Sequence, residues 1–230
     1  MSEGTPVVQA LIFDLDGLLV DSEPIWFEVE GGFLAALGHT WTREEAEACM
    51  GQGTPNTLRI WRERYGVQVD IPRDTERIID RMVARADGMV LKKGALRLLE
   101  RARQRGCPMA VASSSPKRLI VAVLAAKGLD GYFRVVVSGQ EVPRGKPAPD
   151  VFLRAAELLG VEASSCVVLE DTLAGTRAGV AAGARVVAVP SVDAEGIASL
   201  ATWVLRDLDE AGEVLFGADP EVIQSHPARS

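Results

Sequence analysis

The stretch from Val7 to Gly17, VVQALIFDLDG, decides the fold of this chain. The residues before Asp14 are mostly apolar, which is typical of a strand buried on both faces of a parallel sheet. This run ends in two carboxylates and a glycine that permits a turn. Residues two apart in an extended chain project to the same side, so Asp14 and Asp16 are expected to face one site. Unpaired carboxylates at the end of a buried strand are costly, which indicates that a cation or a reaction uses them.

A second Asp-Leu-Asp sequence, at residues 207–209, predicts a different structure. Glu210 and the apolar positions of a helical pattern follow it. Acids in that position satisfy the free amides of a helix N-terminus and complement the helix dipole. We interpret this second sequence as a helix cap, and only the first as catalytic.

Two further segments offer groups that bind anions. The apolar run ending at Ala112 leads into Ser113, Ser114 and Ser115 and then into a helix that starts with a proline. Hydroxyls beside the open amides of a helix N-terminus make an anion site, although the same residues also suit an ordinary helix cap. Farther along, Lys146 stands before Pro147 in a loop, where it would neutralise an anionic substrate.

A last apolar run, residues 166–169, ends in Glu170 and Asp171. Adjacent acids can cap the helix that follows. Together with Asp14 and Asp16, however, they indicate a site for a divalent cation with oxygen ligands, of the kind that suits Mg²⁺.

These motifs resemble those of the haloacid dehalogenase superfamily, in its phosphatase and β-phosphoglucomutase-like branch. Residues 14–23, DLDGLLVDSE, are similar to the first motif of that family. Ser113 is similar to the second motif, Lys146 to the third, and Glu170 with Asp171 to the fourth. The resemblance covers nearly the whole chain.

The resemblance implies a phosphoryl transfer through an aspartyl-phosphate. Asp14 would attack phosphorus, and Asp16 would protonate the leaving alkoxide and later take a proton from water. The implied ligands of Mg²⁺ are Asp14, the main-chain carbonyl of Asp16, Asp171 and Glu170, the last as a ligand or as a partner of a ligand. The implied phosphate-binding groups are Ser113, the Ser114 amide and Lys146.

The order of the apolar runs predicts an α/β fold with a doubly wound, mainly parallel sheet. The predicted strands are residues 7–13, 107–112, 133–138, 166–169, 185–189 and 202–206. Between the first two strands, helical patterns cover Ile25–Leu37, Arg43–Cys49, Thr57–Tyr65 and Arg73–Ala86, with no convincing strand among them. We therefore predict a core domain of residues 1–21 and 92–230, with a smaller all-helical cap, residues 22–91, inserted after the first strand.

Substrate choice is expected to depend on the cap. Glu23 and Trp26 open it beside the nucleophile, the one able to bind hydroxyls and the other to stack on a ring or to serve as a core anchor. The loop Gly51, Gln52, Gly53 and Thr54 either covers the site or is a plain turn between helices. It is not a dinucleotide fingerprint, because no strand precedes it.

The predicted enzyme is a phosphatase of small phosphorylated metabolites, most consistent with sugar or polyol phosphates. A β-phosphoglucomutase-type mutase is the alternative, but it would use a cap histidine and arginine where this chain has Trp26 and Thr54 or Pro55. A dehalogenase would need neither Asp16 nor Asp171. A scaffold protein would be expected to have lost a motif residue, and none is missing.

Composition agrees with this prediction. A net charge of -7 over 230 residues argues against binding nucleic acid or an anionic membrane. The 3 cysteines are widely spaced and form no metal or disulfide motif. No apolar stretch reaches the roughly 18 residues of a membrane span. We expect a protein of the reducing cytoplasm, and nothing requires it to be more than a monomer.

Overall fold

The computed structural model describes residues 8–49, 53–190 and 196–217. Its main element is a sheet of six strands in the order β5-β4-β1-β6-β7-β8, with every neighbouring pair parallel. These strands are β1 (Ala10–Phe13), β4 (Met109–Ser113), β5 (Val135–Ser138), β6 (Cys166–Glu170), β7 (Arg185–Ala188) and β8 (Trp203–Val204). The predicted doubly wound, mainly parallel sheet is confirmed.

Helices cover both faces of the sheet, because successive strand residues point to opposite sides. In β1, Leu11 and Phe13 belong to one apolar cluster, and Ala10 and Ile12 belong to the other. The first face carries α5 (Ala95–Gln104), α6 (Lys117–Ala126) and α9 (Leu208–Phe216). The second face carries α7 (Asp150–Leu159) and α8 (Leu173–Ala181).

The cap is built from four helices between β1 and β4. They are α1 (Glu23–Ala35), α2 (Arg43–Cys49), α3 (Thr54–Tyr65) and α4 (Ile71–Val83). Their apolar faces surround Trp61, which is fully buried and stacks on Phe33 at a ring distance of 6.1 Å. The predicted helical cap is confirmed.

The expectation that residues 22–91 contain no strand was wrong for the last two residues of that range. β2 (Val20–Asp21) and β3 (Val90–Leu91) form a short antiparallel pair, with Val20 opposite Leu91. The pair lies where the chain enters and leaves the cap. Each strand has 2 residues, too few for an alternating pattern to be visible in the sequence.

Ion pairs and hydrogen bonds join the cap to the core beside the cleft. Arg118, at the start of α6, contacts the carboxylates of Asp80 at 2.6 Å and of Glu76 at 2.7 Å, both on α4. Lys127 donates to the main-chain oxygen of Asp87 at 2.8 Å. The Arg118 contacts hold the first turn of α6 against the cap, and the Lys127 contact holds its C-terminal end.

Candidate active site

Lys146 lies between two carboxylates at the carboxyl ends of the central strands. Its Nζ is 2.5 Å from Asp14 Oδ1 and 2.5 Å from Glu170 Oε1. It also donates to the main-chain oxygen of Ala112 at 3.1 Å. An ammonium group has three N–H donors, and these three acceptors match them. Adjacent parallel strands β4, β1 and β6 thus bring together residues from four distant parts of the chain, as the strand-end argument predicts.

Burial controls the electrostatics of this group. The side chain of Lys146 is 4% exposed and that of Asp14 is 8% exposed. Burial, together with the charges of Glu170 and Asp16, raises the pKa of Asp14 to about 8 against the opposing charge of Lys146. Burial disfavours the charged form of Lys146, yet Asp14 and Glu170 together raise its pKa above the ordinary value. Lys146 is therefore the fixed cation of the site.

Glu170 is fully buried and is held in a close-fitting cradle. Its Oε2 accepts hydrogen bonds from the Asp171 amide at 3.1 Å and from the Thr172 amide and hydroxyl at 3.3 and 3.1 Å. A Cβ at Gly175 would lie 1.9 Å from the Glu170 carboxylate, so only glycine fits there. With one oxygen held by backbone and hydroxyl donors, Glu170 directs its other oxygen to Lys146.

Four donors from the core and the cap surround the Asp16 carboxylate. Oδ1 accepts from the Ser22 hydroxyl at 2.8 Å and from the Trp26 indole N–H at 3.2 Å. Oδ2 accepts from the hydroxyls of Ser115 at 2.8 Å and Ser113 at 3.3 Å. The indole N–H can only donate, so this arrangement treats Asp16 as an acceptor. To act as an acid, Asp16 must first carry a proton on one oxygen. That proton would replace one of these hydrogen bonds, or reverse one of those made by a serine hydroxyl.

The Ser113–Ser115 loop forms a compact turn between β4 and α6. The Ser113 hydroxyl accepts from the Ser115 amide at 3.0 Å, and the Ser115 carbonyl accepts from the Ser138 hydroxyl at 2.7 Å. Ser113 and Ser114 both line the cleft. A Cβ at Gly139 would lie 3.3 Å from the Ser114 Cα, so the loop is also packed tightly against the end of β5.

Asp14, Glu170 and Asp171 make a candidate metal site. One carboxylate oxygen from each lies within 4.8 Å of the others, and all three residues are buried. Carboxylate oxygens at this spacing are the donor set that hard divalent cations prefer, so the residues present fit such an ion. Of these three, Asp14 and Glu170 both pair with Lys146, so a bound cation would share their carboxylates with that lysine.

A cavity of about 280 Å³ separates these core residues from the cap. The predicted cap residues Glu23, Trp26, Gly53 and Thr54 line it. Gly51 and Gln52, predicted to belong to the same loop, lie outside the described residues. The structure therefore places the described part of the loop beside the cleft, and Trp26 contacts Asp16 instead of standing only as a core anchor.

Four residues that sequence reasoning missed belong to this site. Ser22 and Ser115 hold Asp16. Glu30 and Arg59 line the cap side of the cavity. The adjacency of Ser115 to Ser113 was a usable signal for the first pair, but Glu30 has the sequence context of an ordinary surface acid on a helix.

Acidic groups on the cap side have altered protonation. Burial, together with the charge of Glu23, raises the pKa of Glu30 to about 8. Burial also raises the pKa of Glu23 to about 7, with the charges of Asp16 and Asp21 adding to the shift. The cap wall of the cleft therefore carries carboxyl groups that gain or lose a proton near neutral pH.

Two aspartates two residues apart, a buried lysine and a buried acidic cluster thus meet at the carboxyl ends of a parallel sheet, an arrangement that suits phosphoryl transfer. The chain belongs to the haloacid dehalogenase-like hydrolase family, whose model matches residues 8–183. The family match and phosphatase relatives confirm the predicted class of enzyme, a phosphomonoester hydrolase.

Known proteins with similar sequences and structures support this assignment. The chain is 32% identical over 194 residues to hexitol phosphatase B of Escherichia coli, covering 82% of this chain and 86% of the relative. It is 32% identical over 218 residues to protein CbbY of Rhodobacter capsulatus, covering 89% and 95%. A crystal structure of a mutant CbbY from Rhodobacter sphaeroides with xylulose-(1,5)bisphosphate has a TM-score of 0.80 and 28% identity, covering 90% and 99%.

Among the described residues, no helix combines the length and the apolar character needed to cross a membrane.

Proposed function

We propose that this protein is a Mg²⁺-dependent phosphatase that hydrolyses small phosphorylated metabolites, sugar or polyol phosphates, through an aspartyl-phosphate on Asp14. The observation that carries the proposal is the ion-paired group of Asp14, Lys146 and Glu170, with Asp171 beside it, at the base of the cleft between core and cap. Hexitol phosphatase B and other phosphatase relatives support the substrate class.

In the first step, an Asp14 carboxylate oxygen attacks phosphorus and forms a new P–O bond. The bond from phosphorus to the leaving oxygen breaks, and Asp16 donates a proton to that oxygen, so the product leaves as a neutral alcohol. Asp16 stands two residues from Asp14 and bridges core and cap through Ser115 and Trp26. This position suits contact with a leaving group that lies on the cap side.

In the second step, water attacks the aspartyl-phosphate. Asp16 takes the proton of that water, and the bond between phosphorus and Asp14 breaks, which releases inorganic phosphate and restores the Asp14 carboxylate. Both steps use the same pair of carboxylates in alternating roles. The close cap wall limits the water that reaches the intermediate.

The transferred phosphoryl group needs positive charge and directed donors. Lys146 supplies a cation that Glu170 and Asp14 hold in place, and Ser113 and the Ser114 amide supply donors from the loop after β4. A magnesium ion held by Asp14, the Asp16 main-chain carbonyl and Asp171, with Glu170 as a ligand or a partner, would supply further positive charge to the phosphoryl oxygens.

The proposal is tested by Mg²⁺-dependent phosphate release from a panel of sugar, polyol and nucleotide monophosphates. Glucose 1-phosphate and glucose 6-phosphate interconversion is followed in the same tubes. Rapid release from sugar or polyol phosphates, abolished by a chelator, is the expected result. Interconversion with little release would replace the proposal with a mutase, and no turnover of any phosphate ester would overturn both.

The division of the chain into a core of residues 1–21 and 92–230 and a cap of residues 22–91 is part of this proposal. The helices and strands of the described residues support it, since β2 and β3 lie at its two boundaries. We also propose that the protein acts as a monomer in the cytoplasm, which its free cysteines Cys49, Cys107 and Cys166 suit.

A further inference from the structure

One face of α1 forms a wall of the cleft. Glu23, Trp26, Phe27 and Glu30 all line the cavity, at the three- and four-residue spacing that places side chains on one face of a helix. The helix also packs into the cap core through Ile25, Val29, Phe33 and Leu34. The position of Glu30 is therefore fixed by helix packing and not by a flexible loop.

Glu30 is a buried acid at the cap end of the cavity. It is 8% exposed, and within the described part of the chain no ion pair involves it. Glu23, the nearest acid on the same face, contributes negative charge to its surroundings. A hydrogen bond from the Trp41 side chain offsets part of the cost of burying this acid, and a ligand that fills the cavity can offset the rest.

The positive groups around the described cleft stand elsewhere. Lys146 is at the floor and is shared by Asp14 and Glu170. Arg59, on α3, lines the cavity but is exposed to solvent. The floor of the cleft thus offers a cation for one phosphoryl group, and the α1 wall offers acidic side chains for the leaving group of the substrate.

We propose that Glu30, assisted by Glu23, selects substrates whose leaving group is uncharged and rich in hydroxyls, and discriminates against substrates with a second anionic group. This inference rests on the proposed phosphatase function. It distinguishes the chain from its structural relative CbbY, whose crystal structure holds a bisphosphate.

The discrimination follows from hydrogen-bonding capacity. A carboxyl group accepts hydrogen bonds from hydroxyls whether it is ionised or protonated, so a polyol chain satisfies Glu30 and Glu23. A carboxylate or second phosphate on the substrate would lose water against acidic side chains, and among the described cap residues that line the cavity only the exposed Arg59 carries a positive charge. Glu30 and Glu23 would thus favour a polyol phosphate and disfavour a substrate with a second anionic group.

The test compares kcat/KM at pH 9, above the Glu30 pKa of about 8, for three substrates and a reference. The substrates are a hexitol 6-phosphate, 2-phosphoglycolate and xylulose 1,5-bisphosphate, and the reference is p-nitrophenyl phosphate, whose leaving group has no alcohol hydroxyls. For the unchanged protein, we expect the hexitol phosphate to exceed both anionic substrates by about tenfold or more, the size of one charge-assisted hydrogen bond.

Glu30→Gln keeps the shape of the side chain and removes its ionisation. We expect the preference for hexitol phosphate over 2-phosphoglycolate to fall by about tenfold. Glu28→Gln is the matched control, because Glu28 lies on the same helix but is exposed and pairs with Arg85 at 2.6 Å. It should leave every ratio unchanged.

Different failures separate the two proposals. If p-nitrophenyl phosphate and every other ester are inert with Mg²⁺, the proposed function fails. If the protein hydrolyses the reference but prefers 2-phosphoglycolate or the bisphosphate, or if Glu30→Gln leaves the ratio unchanged, the role of Glu30 is overturned. Should Glu30→Gln not fold by circular dichroism, Glu23→Gln is measured instead, and it must lower the same ratio for the proposal to stand.

Discussion

The same tripeptide, Asp-Leu-Asp, occurs at two places in this molecule with opposite roles. At residues 14–16 it ends a buried strand, and its two carboxylates face a cleft beside Lys146. At residues 207–209 it begins α9, where the Asp207 side chain accepts a hydrogen bond from the Glu210 amide at 3.0 Å. The predicted helix cap is confirmed. Both tripeptides follow a strand of the same sheet, but β1 is central and fully buried, whereas β8 is a two-residue strand at the edge and α9 begins directly at Leu208.

The pKa of the first aspartate also differs between the two tripeptides, and it is shifted in opposite directions. Burial raises the pKa of Asp14 to about 8. A hydrogen bond from the exposed Lys93 lowers the pKa of Asp207 below its usual value. A carboxylate whose charged form is destabilised by burial is typical of a functional site. A carboxylate whose charge is stabilised by a neighbouring cation is typical of a structural ion pair.

The largest expected contrast comes from replacing one aspartate in each tripeptide. Asp14→Asn removes the nucleophile and should lower kcat by about a thousandfold or more, with the circular dichroism spectrum unchanged. Asp209→Asn removes only an ion pair with Arg97 at 3.3 Å and should leave kcat/KM unchanged. Substantial turnover by Asp14→Asn would assign the nucleophile elsewhere.

A second contrast concerns the cation that the first tripeptide is expected to need. Asp171→Ala removes one carboxylate of the buried cluster, so the Mg²⁺ concentration for half-maximal activity should rise by about tenfold or more. Asp130→Ala, at an exposed position, is the matched control. An unchanged Mg²⁺ titration for Asp171→Ala would remove Asp171 from the metal site.

Buried and exposed acids should also differ in how they make the free energy of unfolding depend on pH. The pKa of Glu30 in the folded protein, about 8, exceeds its ordinary value of 4.5, so the folded form retains a proton that the unfolded form releases. The free energy of unfolding should therefore fall as pH rises from about 4.5 to 8. Glu30→Gln removes this decrease. At pH 9 the free energy of unfolding of the variant should exceed that of the unchanged protein by about 2–4 kcal/mol.

Urea denaturation at pH 5 and pH 9 measures this effect. At pH 5 the two proteins should be nearly equal in stability, and at pH 9 the variant should be the more stable. Glu28→Gln, whose carboxylate is exposed, should show little dependence on pH. An equal difference between Glu30→Gln and the unchanged protein at both pH values would contradict the assigned protonation.

The smallest expected effect belongs to the helix cap. Asp207→Ala loses the hydrogen bond to the Glu210 amide and should lower the free energy of unfolding at pH 7 by about 1 kcal/mol, with activity unchanged. The pKa of Asp207 is lowered in the folded state, so its contribution should be present at neutral pH and lost as pH falls below the ordinary value of 3.8. An activity loss larger than the stability loss explains would give the second tripeptide a role beyond capping.

The sequence predicted the sheet well because its strands are buried and apolar. Each of the six predicted strands is present, with ends that differ by a few residues because hydrogen bonding to a neighbour, not composition, decides where pairing stops. The helices α3 and α4 begin at Thr54 and Ile71, earlier than predicted. A proline in the first turn of each explains this, since a proline there starts a helix instead of ending it.

The core of the candidate site was predictable for a related reason. Asp14, Lys146 and Asp171 follow or precede elements whose ends must meet at one edge of a parallel sheet. The cap contacts were not predictable in this way. The hydrogen bonds from Ser22 and Trp26 to Asp16, and the position of Glu30, depend on the orientation of a helix over the sheet, which no local pattern specifies.

The short pair of β2 and β3 has a consequence for how this protein can change. Because Val20 lies opposite Leu91, the chain leaves the core and returns to it at the same place. For the six-stranded sheet, everything between them is a closed loop, and the entropic cost of closing a loop grows only slowly with its length. The cap can therefore be replaced, shortened or lengthened while the pairing of the sheet strands stays the same. The shape of the substrate cleft can then change without a change in the residues at the strand ends.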